Sequence, residues 1–476
     1  MNKNAIPEMI EWTQRIGYEP SDFDRLNPIH IAGTKGKGST SAFVSSILYQ
    51  YAKSKQHDSA KTHKVGLYTS PHLRFVRERI QINNEPLSEA AFARYFFETW
   101  DRLEESARAA GHPDPSLPET KPVYFRFLTL MALHCYMEEG VDVAVIECGI
   151  GGEYDSTNIL VKPSVTGITS LGIDHTAMLG ETIDSIAWHK AGIFKPGVPA
   201  LTAPQPDTAL LVLKERAIER GTELQIVQQH PEIDSIQLGL AADFQKINAS
   251  LAIAIASAHL RQSEETSVPH NFDMATTLSP VFRVGLEQVR LGGRCEVRQD
   301  DSHNIIWHID GGHTLESIEL SAKWFASRMS ARGSVPDTAP RVLIFNQQTR
   351  DAASLARKLH STLAAALNND RPFTHAIFCT NTTFSATGFR PDLVSVNINK
   401  DDLDALSVQH RLAATWEDVD PACDVKVVRT IEEAVAAARA VAKGQDNRMN
   451  VLVTGSLHLV GGLVEVLETE TGEGGQ

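Results

Sequence analysis

Short apolar runs alternate, along the first two-thirds of the chain, with longer segments whose apolar residues recur at helical spacing, such as Phe125–Glu139. The short runs are rich in Val and Ile, which is typical of strands buried on both faces of a parallel sheet. The strands predicted in this way are Ile29–Ala32, Val65–Tyr68, Val143–Glu147, Val165–Thr169 and Pro199–Thr202. The alternation predicts a doubly wound α/β domain, in which ligands bind beyond the carboxyl ends of the strands.

A second α/β pattern begins near Asn304 and continues to the last part of the chain. The predicted strands are Asn304–Ile309, Val342–Phe345, His375–Cys379, Val425–Val428 and Val451–Val453, and the predicted helices include Leu315–Met329 and Ala352–Leu367. A capping box, Thr430 to Glu433, marks the start of another helix. Because 476 residues are many for one core, we predict two domains, residues 1–299 and 300–476, with a boundary near 296–303.

Composition narrows the class of protein. A net charge of −14 argues against general binding to nucleic acid or to anionic membranes. The five cysteines are scattered and no pair has C-x-x-C spacing, so we expect a reducing compartment rather than a zinc site or a disulfide framework. No apolar run approaches the ~20 residues of a membrane span, and the N-terminus has no signal-peptide pattern. We therefore expect a cytoplasmic protein, and a mitochondrial isoform stays open.

The loop from Gly33 to Thr40, with the sequence G-T-K-G-K-G-S-T, lies between a predicted strand and a predicted helix. Glycines let successive backbone N–H groups face one anion, and the helix N-terminus adds its positive dipole end. Lys37 supplies a cation for the terminal phosphates, and Ser39 or Thr40 supplies a hydroxyl. The loop departs from the common P-loop pattern at Ile31 and Gly38. The alternative is a glycine-rich turn with a solvated lysine.

Polar side chains also follow three other predicted strands. Glu147 ends one strand, where it is placed like an acid that holds Mg²⁺ near a nucleotide, while Ser70 and His175 follow two further strands. Alternatively, Glu147 is a helix cap or an ion-pair partner, Ser70 lies in a turn closed by Pro71, and His175 is a structural histidine. From spacing alone, Lys190 is a charge near a helix C-terminus.

Further candidates lie outside these strand ends. In the second domain, Asp310 is positioned to accept a hydrogen bond from a ribose hydroxyl and His313 to donate to a phosphate, while Arg294 lies beside the predicted boundary. The basic residues Arg74, Arg77 and Arg79 are either a clamp for an anionic substrate or a solvated face.

Together these residues resemble the folylpolyglutamate synthase family of the Mur ligase superfamily. The motifs that carry the resemblance are the G-T-K-G-K-G-S-T loop, Y-T-S-P-H-L, F-R-F-L-T-L-M-A, E-C-G-I-G-G-E-Y-D-S-T-N, L-G-I-D-H-T, A-W-H-K-A-G-I-F-K-P-G, F-Q-K-I-N-A-S-L-A, G-R-C-E, I-D-G-G-H-T-L-E-S and V-L-V-T-G-S-L-H-L-V-G-G. They occur in order over nearly the whole chain. The resemblance implies a P-loop doubly wound parallel sheet in an N-terminal ATP-binding domain, and a smaller α/β C-terminal domain like that of Mur ligases.

The resemblance also implies an activity. ATP, L-glutamate and a reduced folate that carries at least one glutamate would give the longer γ-linked folate, ADP and phosphate. ATP and Mg²⁺ are the implied cofactors, with a monovalent cation left open. We expect a monomer whose partners are these small molecules, without nucleic acid or membrane.

The resemblance assigns roles residue by residue. The triphosphate would be held by Gly36, Lys37, Gly38 and Ser39, further ATP contacts would come from Asn248, Arg294, Asp310 and His313, and Mg²⁺ would be held by Ser70, Glu147, His175 and Lys190. Lys190 matches a lysine that is carbamylated in relatives, which makes it a metal-binding anion. We expect catalytic roles for Lys37, His175 and Lys190. The chain departs from the family pattern at Leu291-Gly292, at Gly312 and at Phe244.

Three alternatives remain. Dihydrofolate synthase shares the fold and adds the first glutamate to dihydropteroate, but Arg126 favours the eukaryotic polyglutamylating type. A P-loop switch protein would hydrolyse nucleotide without folate or glutamate, and Lys190 and the second α/β domain argue against it. The Y-T-S-P-H-L loop argues against a peptidoglycan ligase of the Mur type.

Overall fold

The computed structural model describes residues 4–55, 63–263, 277–330, 340–348, 351–385, 406–445 and 447–471. These residues form two compact units. The first unit comprises residues from the ranges 1–72, 77–239 and 244–290, and the second comprises residues from 73–76, 240–243 and 291–476. None of the helices in these described ranges is both long enough and apolar enough to cross a membrane.

The first unit is built on a mostly parallel sheet with the strand order β4-β3-β2-β5-β1-β6-β7-β8. Its strands are β1 (Ile29–Ala32), β2 (Val65–Tyr68), β3 (Ile80–Ile82), β4 (Glu85–Pro86), β5 (Val143–Glu147), β6 (Val165–Ile168), β7 (Ala200–Thr202) and β8 (Leu224–Ile226). Only β3 and β4 run antiparallel to their neighbours in this sheet.

The described helices of the first unit precede, connect or follow these strands. They are α1 (Ala5–Arg15), α2 (Lys37–Lys55), α3 (Glu89–Ala109), α4 (Tyr124–Glu138), α5 (Thr176–Leu179), α6 (Ile183–Lys190), α7 (Asp207–Arg220), α8 (Gln245–Ser263) and α9 (Pro280–Gln288). Short 3₁₀ helices lie at Pro20–Leu26, Val76–Arg79, Pro118–Thr120, Ser156–Ile159, Ala191–Ile193 and Ile233–Ser235. Every residue of β1, β2, β5 and β6 is buried, as expected for strands that are covered on both faces.

The second unit has a sheet with the strand order β13-β12-β11-β14-β10-β9. Its strands are β9 (Glu296–Asp300), β10 (Ile305–Ile309), β11 (Arg341–Phe345), β12 (His375–Phe378), β13 (Asp424–Val427) and β14 (Met449–Thr454). Its described helices are α10 (Leu315–Ser330), α11 (Ala352–Leu367), α12 (Ser407–Val419), α13 (Ile431–Ala442) and α14 (Leu457–Thr471). The core of this unit includes Trp307, Ile344, Val451 and Leu463.

The predicted fold class is confirmed: both units contain a largely parallel sheet with helical connections. The predicted capping box is also present, because Thr430 accepts from the backbone of Glu433 and Glu433 accepts from the backbone of Thr430. Strand β9 was not predicted. The main segment of the second unit begins at residue 291. The predicted boundary between residues 299 and 300 therefore falls within this unit, inside β9.

Candidate functional site

The glycine-rich loop follows β1 directly and leads into the first turn of α2, as predicted. The backbone N–H groups of Thr34 and Lys35 both donate to the carbonyl oxygen of Ser170, at 3.1 and 3.0 Å. Ser170 belongs to the loop that follows β6, the strand beside β1. The loop is therefore fixed by its backbone to the neighbouring strand end, and the N-terminus of α2 begins at Lys37.

Two glycines of the loop lie where no side chain fits. Gly33 and Gly36 have φ angles of +150° and +86°. A Cβ atom on Gly36 would lie 2.2 Å from Oδ1 of Asn248, and one on Gly33 would lie 1.8 Å from Oγ1 of Thr169. The loop thus combines backbone torsions that favour glycine with close packing, as expected where a backbone must approach an anion.

Glu147, Ser70 and Lys37 lie together at the carboxyl ends of neighbouring strands. Oε2 of Glu147 accepts a hydrogen bond of 3.0 Å from the backbone N–H of Ser70, and Oε1 lies 4.0 Å from Nζ of Lys37. Glu147 is only 2% exposed. Since β2 pairs with β5, the residues after these two strands meet at one edge of the sheet. The structure therefore brings together a buried carboxylate, the serine loop and the P-loop lysine.

Lys190 is the last residue of α6, and its side chain reaches the P-loop. Its Nζ donates to the carbonyl oxygen of Gly33 at 2.6 Å, and the residue is 3% exposed. The pKa of Lys190 falls from 10.5 to about 7. The main cause is the burial of the amine, and the second is the nearby charge of Lys37. Reasoning from spacing missed this position, and only the motif match pointed to it.

His175 has a different setting from the other predicted metal ligands. It lies after β6 with φ of 52°, precedes α5, and is exposed. Its backbone N–H donates to Oδ1 of Asp174, whose other oxygen lies 3.4 Å from Nζ of Lys35. Among the residues that the structure describes, no three His, Cys, Asp or Glu side chains are grouped so as to hold a metal ion. The predicted metal set depends instead on one serine, one carboxylate, one imidazole and one modified lysine.

A pair of buried amides supports the other side of the P-loop. Nε2 of Gln245 donates to Oγ of Ser39 at 3.1 Å, and Nδ2 of Asn248 donates to Oε1 of Gln245 at 2.9 Å. Asn248 is the residue that packs on Gly36. Gln245 lies in the F-Q-K-I-N-A-S-L-A motif but is not among the predicted site residues. Its spacing of three residues from Asn248 on a helix, which places both on one face, is the signal that could have found it.

In the second unit, Asp310 joins two turns. Its Oδ2 accepts from the backbone N–H of Cys295 and its Oδ1 from that of Gly312, each at 3.0 Å. The residue is 7% exposed, and this burial raises the pKa of its carboxyl group. A Cβ atom on Gly311 would lie 3.1 Å from Nη1 of Arg294, so these turns also pack against Arg294.

His313 lies beside the same turns: its Nδ1 is 3.0 Å from the carbonyl oxygen of Gly311, and its backbone N–H donates to Oγ of Ser317. The structure thus places Arg294, Asp310 and His313 in neighbouring turns at the end of β10.

The predicted arginine clamp is divided between the two units. Arg74 lies in the second unit and pairs with Glu465 and Glu468. Arg77 and Arg79 lie in the first unit, where Arg77 donates to the carbonyl oxygen of Leu87 and Arg79 to Nδ1 of His72. The hypothesis of a clamp therefore rests on Arg77 and Arg79, because Arg74 is committed to two carboxylates.

No protein-family model matches the chain. Curated proteins do: a folylpolyglutamate synthase of Neurospora crassa is 45% identical over 470 residues, which cover 98% of this chain and 86% of that protein. A folylpolyglutamate synthase of Saccharomyces cerevisiae is 44% identical over 471 residues, which cover 98% of this chain and 82% of that protein.

Solved structures agree on the fold. The Mycobacterium tuberculosis folylpolyglutamate synthase complexed with ADP and AMPPCP matches with a TM-score of 0.67 at 21% identity, over 98% of this chain and 95% of that one. The folylpolyglutamate synthase of Thermotoga maritima matches with a TM-score of 0.66 at 22% identity, over 98% of this chain and 93% of that one.

Proposed function

The chain belongs to the folylpolyglutamate synthase family, and we propose that it uses ATP to add L-glutamate by a γ-linkage to tetrahydrofolate (poly)glutamate. The products are the longer folate, ADP and phosphate. The observation that carries this proposal is the arrangement at one sheet edge of the P-loop, the buried Glu147 and the buried Lys190. A phosphate-binding loop with its lysine and a carboxylate that can hold a metal ion are groups that phosphoryl transfer uses, and the lowered pKa of Lys190 suits the carbamylation that the family resemblance implies.

In this proposal the P-loop holds the triphosphate. The N–H groups at the start of α2 have no partners within the helix, so Gly36, Lys37, Gly38 and Ser39 present donors to the phosphate oxygens. Asn248, which packs on Gly36, contributes a further contact to ATP. The family resemblance adds Arg294, Asp310 and His313 of the second unit as nucleotide contacts.

The residues present fit a magnesium ion. Glu147 is a buried carboxylate whose oxygen faces Lys37, and the loop of Ser70 is held against it. Such hard oxygen donors suit Mg²⁺. Ser70, Glu147, His175 and carbamylated Lys190 are the residues that would hold the ion. When bound, the ion offsets the negative charge of the phosphates.

The chain's own residues then position the reactants. The terminal γ-carboxylate of the folate attacks the γ-phosphorus, ADP leaves, and an acyl phosphate forms. Lys37 stabilises the charge that develops on the transferred group, and positioning supplies much of the remaining acceleration. The amine of L-glutamate attacks the acyl carbon and phosphate leaves, which yields the γ-amide.

Comparing ADP release with two acceptors tests this assignment against the alternatives. Tetrahydrofolate and dihydropteroate are each supplied with and without L-glutamate. We expect ADP release that requires both tetrahydrofolate and glutamate. Turnover with dihydropteroate but not with tetrahydrofolate would assign the chain as a dihydrofolate synthase, and ADP release that needs neither acceptor nor glutamate would favour a nucleotide-driven switch.

A further inference from the structure

Gln245, the first residue of α8, links the P-loop serine to Asn248. Its Nε2 lies 3.1 Å from Oγ of Ser39, and its Oε1 accepts a hydrogen bond of 2.9 Å from Nδ2 of Asn248. Gln245, Asn248 and Ser39 are only 1%, 4% and 7% exposed. Because polar groups that are buried to this extent depend on one another for hydrogen bonds, the contact constrains all three side chains.

The direction of these hydrogen bonds determines what Ser39 has left to offer. An amide oxygen only accepts and an amide nitrogen only donates. Since Oε1 of Gln245 is occupied by Asn248, the NH₂ group of Gln245 faces Ser39 and donates to its hydroxyl oxygen. The hydroxyl hydrogen of Ser39 must then point to another acceptor.

We propose that Gln245 is a positioning residue for nucleotide binding: by donating to Oγ of Ser39, it orients the Ser39 hydroxyl so that its hydrogen is donated to a phosphate oxygen of ATP. The inference rests on the proposed function, in which the P-loop holds ATP. Without this contact, a serine in a helix also has the option of donating to the carbonyl oxygen one turn earlier. Gln245 fixes the orientation of the Ser39 hydroxyl before the nucleotide binds, which reduces the entropy cost of ordering the site on binding.

The test is a cycle of variants in which binding of AMPPCP with Mg²⁺ is measured by calorimetry. Gln245→Met keeps the length of the side chain but removes both hydrogen bonds. With Ser39 present, it should weaken binding by about tenfold or more, the cost of misdirecting one charge-assisted hydrogen bond. In a Ser39→Ala background the same change should weaken binding clearly less, by about threefold at most, because no hydroxyl remains to be oriented and only the hydrogen bond to Asn248 is lost.

The cycle separates positioning from packing. An equal loss in both backgrounds would show that Gln245 acts through packing or through Asn248 and not through Ser39, and this would overturn the inference while leaving the proposed function intact. No binding by the unmodified chain would overturn the proposed function itself. In steady-state assays, Gln245→Met should raise the KM for ATP and leave the KM for glutamate unchanged.

Two further variants test the direction of the hydrogen bond and the integrity of the helix. Gln245→Glu keeps the shape but can only accept from Ser39, so it should weaken binding at least as much as Gln245→Met. Binding of unmodified strength in that variant would overturn the assigned direction. Ser250→Ala is the matched control on α8, because it removes a buried hydrogen bond to His230 that does not involve the P-loop. It should leave nucleotide binding unchanged.

Discussion

Nζ of Lys190 lies 2.6 Å from the carbonyl oxygen of Gly33, so the last residue of α6 donates a hydrogen bond to the first glycine of the P-loop. The amine is buried and lies near the charge of Lys37, and both conditions disfavour its protonated form. With a pKa of about 7, a large fraction of the amine is neutral near neutral pH. The neutral amine is the form that adds carbon dioxide, which is consistent with the carbamylation that the family resemblance implies.

The lowered pKa of Lys190 predicts a pH-dependent stability. The amine has a pKa of 10.5 in the unfolded chain and about 7 in the folded chain, so between these values the unfolded chain binds more protons. Stability contributed at this site therefore rises with pH across that window and is lowest below about pH 7. Lys190→Met should raise the Tm by several degrees at about pH 6, and by less at about pH 9.

Thermal melts at both pH values, with carbon dioxide excluded, measure this difference. Lys358→Met is the control, because Lys358 lies on the surface beside Glu319. Its effect on the Tm should be the same at both pH values. A gain from Lys190→Met that is equal at the two pH values would contradict the lowered pKa.

Gly36→Ala should disrupt the P-loop. The added Cβ would lie 2.2 Å from Oδ1 of Asn248, and the φ of +86° is itself unfavourable for alanine. We expect binding of ATP to weaken by about a hundredfold, because the loop or Asn248 must move. Gly172→Ala is the matched control in the neighbouring loop, since its Cβ would meet only Cγ2 of Thr34, at 3.9 Å. Calorimetric titration with AMPPCP compares the two variants, and equal affinities would contradict the steric argument.

Glu147→Gln should nearly abolish turnover with little loss of stability. Glutamine still accepts from the N–H of Ser70 but lacks the negative charge that a metal ion requires. We expect a fall in kcat of about a thousandfold, in line with several kcal/mol of lost charge stabilisation. Glu139→Gln is the control, because Glu139 precedes β5 and lies at the opposite end of that strand. Steady-state ADP release measures the activity, and thermal melts measure the stability of each variant. Activity of Glu147→Gln within a few-fold of that of the unmodified enzyme would contradict the role of Glu147 as a metal ligand.

The sequence was sufficient to predict the buried strands, but several strands at or beside the edges of the sheets were missed. β1, β2 and β5 were predicted with their observed ends, because burial on both faces produces continuous apolar runs. β9 has the polar sequence E-V-R-Q-D and pairs only with β10, so no apolar run marks it. β3 is too short, at three residues, to show an alternating pattern.

Some contacts in the candidate site could likewise be predicted from the sequence, and others could not. The proximity of Ser70 to Glu147 follows from the pairing of β2 with β5, which parallel-sheet logic anticipates. The contact of Lys190 with Gly33 joins residues 157 positions apart, and that of Gln245 with Ser39 joins residues 206 positions apart. Such contacts depend on how helices pack on the sheet. The spacing of Gln245 and Asn248 indicates that they share a helix face, but it does not specify the contact with Ser39.

The arginine cluster predicts how the enzyme distinguishes its acceptors. Arg74 is paired with Glu465 and Glu468, so recognition of a folate carboxylate falls to Arg77 or Arg79. A folate that carries one glutamate has one more carboxylate than dihydropteroate, because the glutamate brings two while the benzoate carboxyl is used in the amide bond. One bidentate contact between an arginine and a carboxylate contributes roughly 1.5–3 kcal/mol, so its loss should weaken binding about tenfold or more.

Arg77→Gln should therefore raise the KM for tetrahydrofolate by about tenfold with a smaller change in kcat, since the contact is made equally in the ground and transition states. Arg94→Gln is the matched control, because Arg94 is an exposed arginine that forms a helical ion pair with Glu98 and a contact with Tyr95. Its KM for folate should not change. Initial rates over a range of folate concentrations, at saturating ATP and glutamate, give both constants. A fall in kcat at unchanged KM would place Arg77 at the reacting groups instead of at the folate carboxylate.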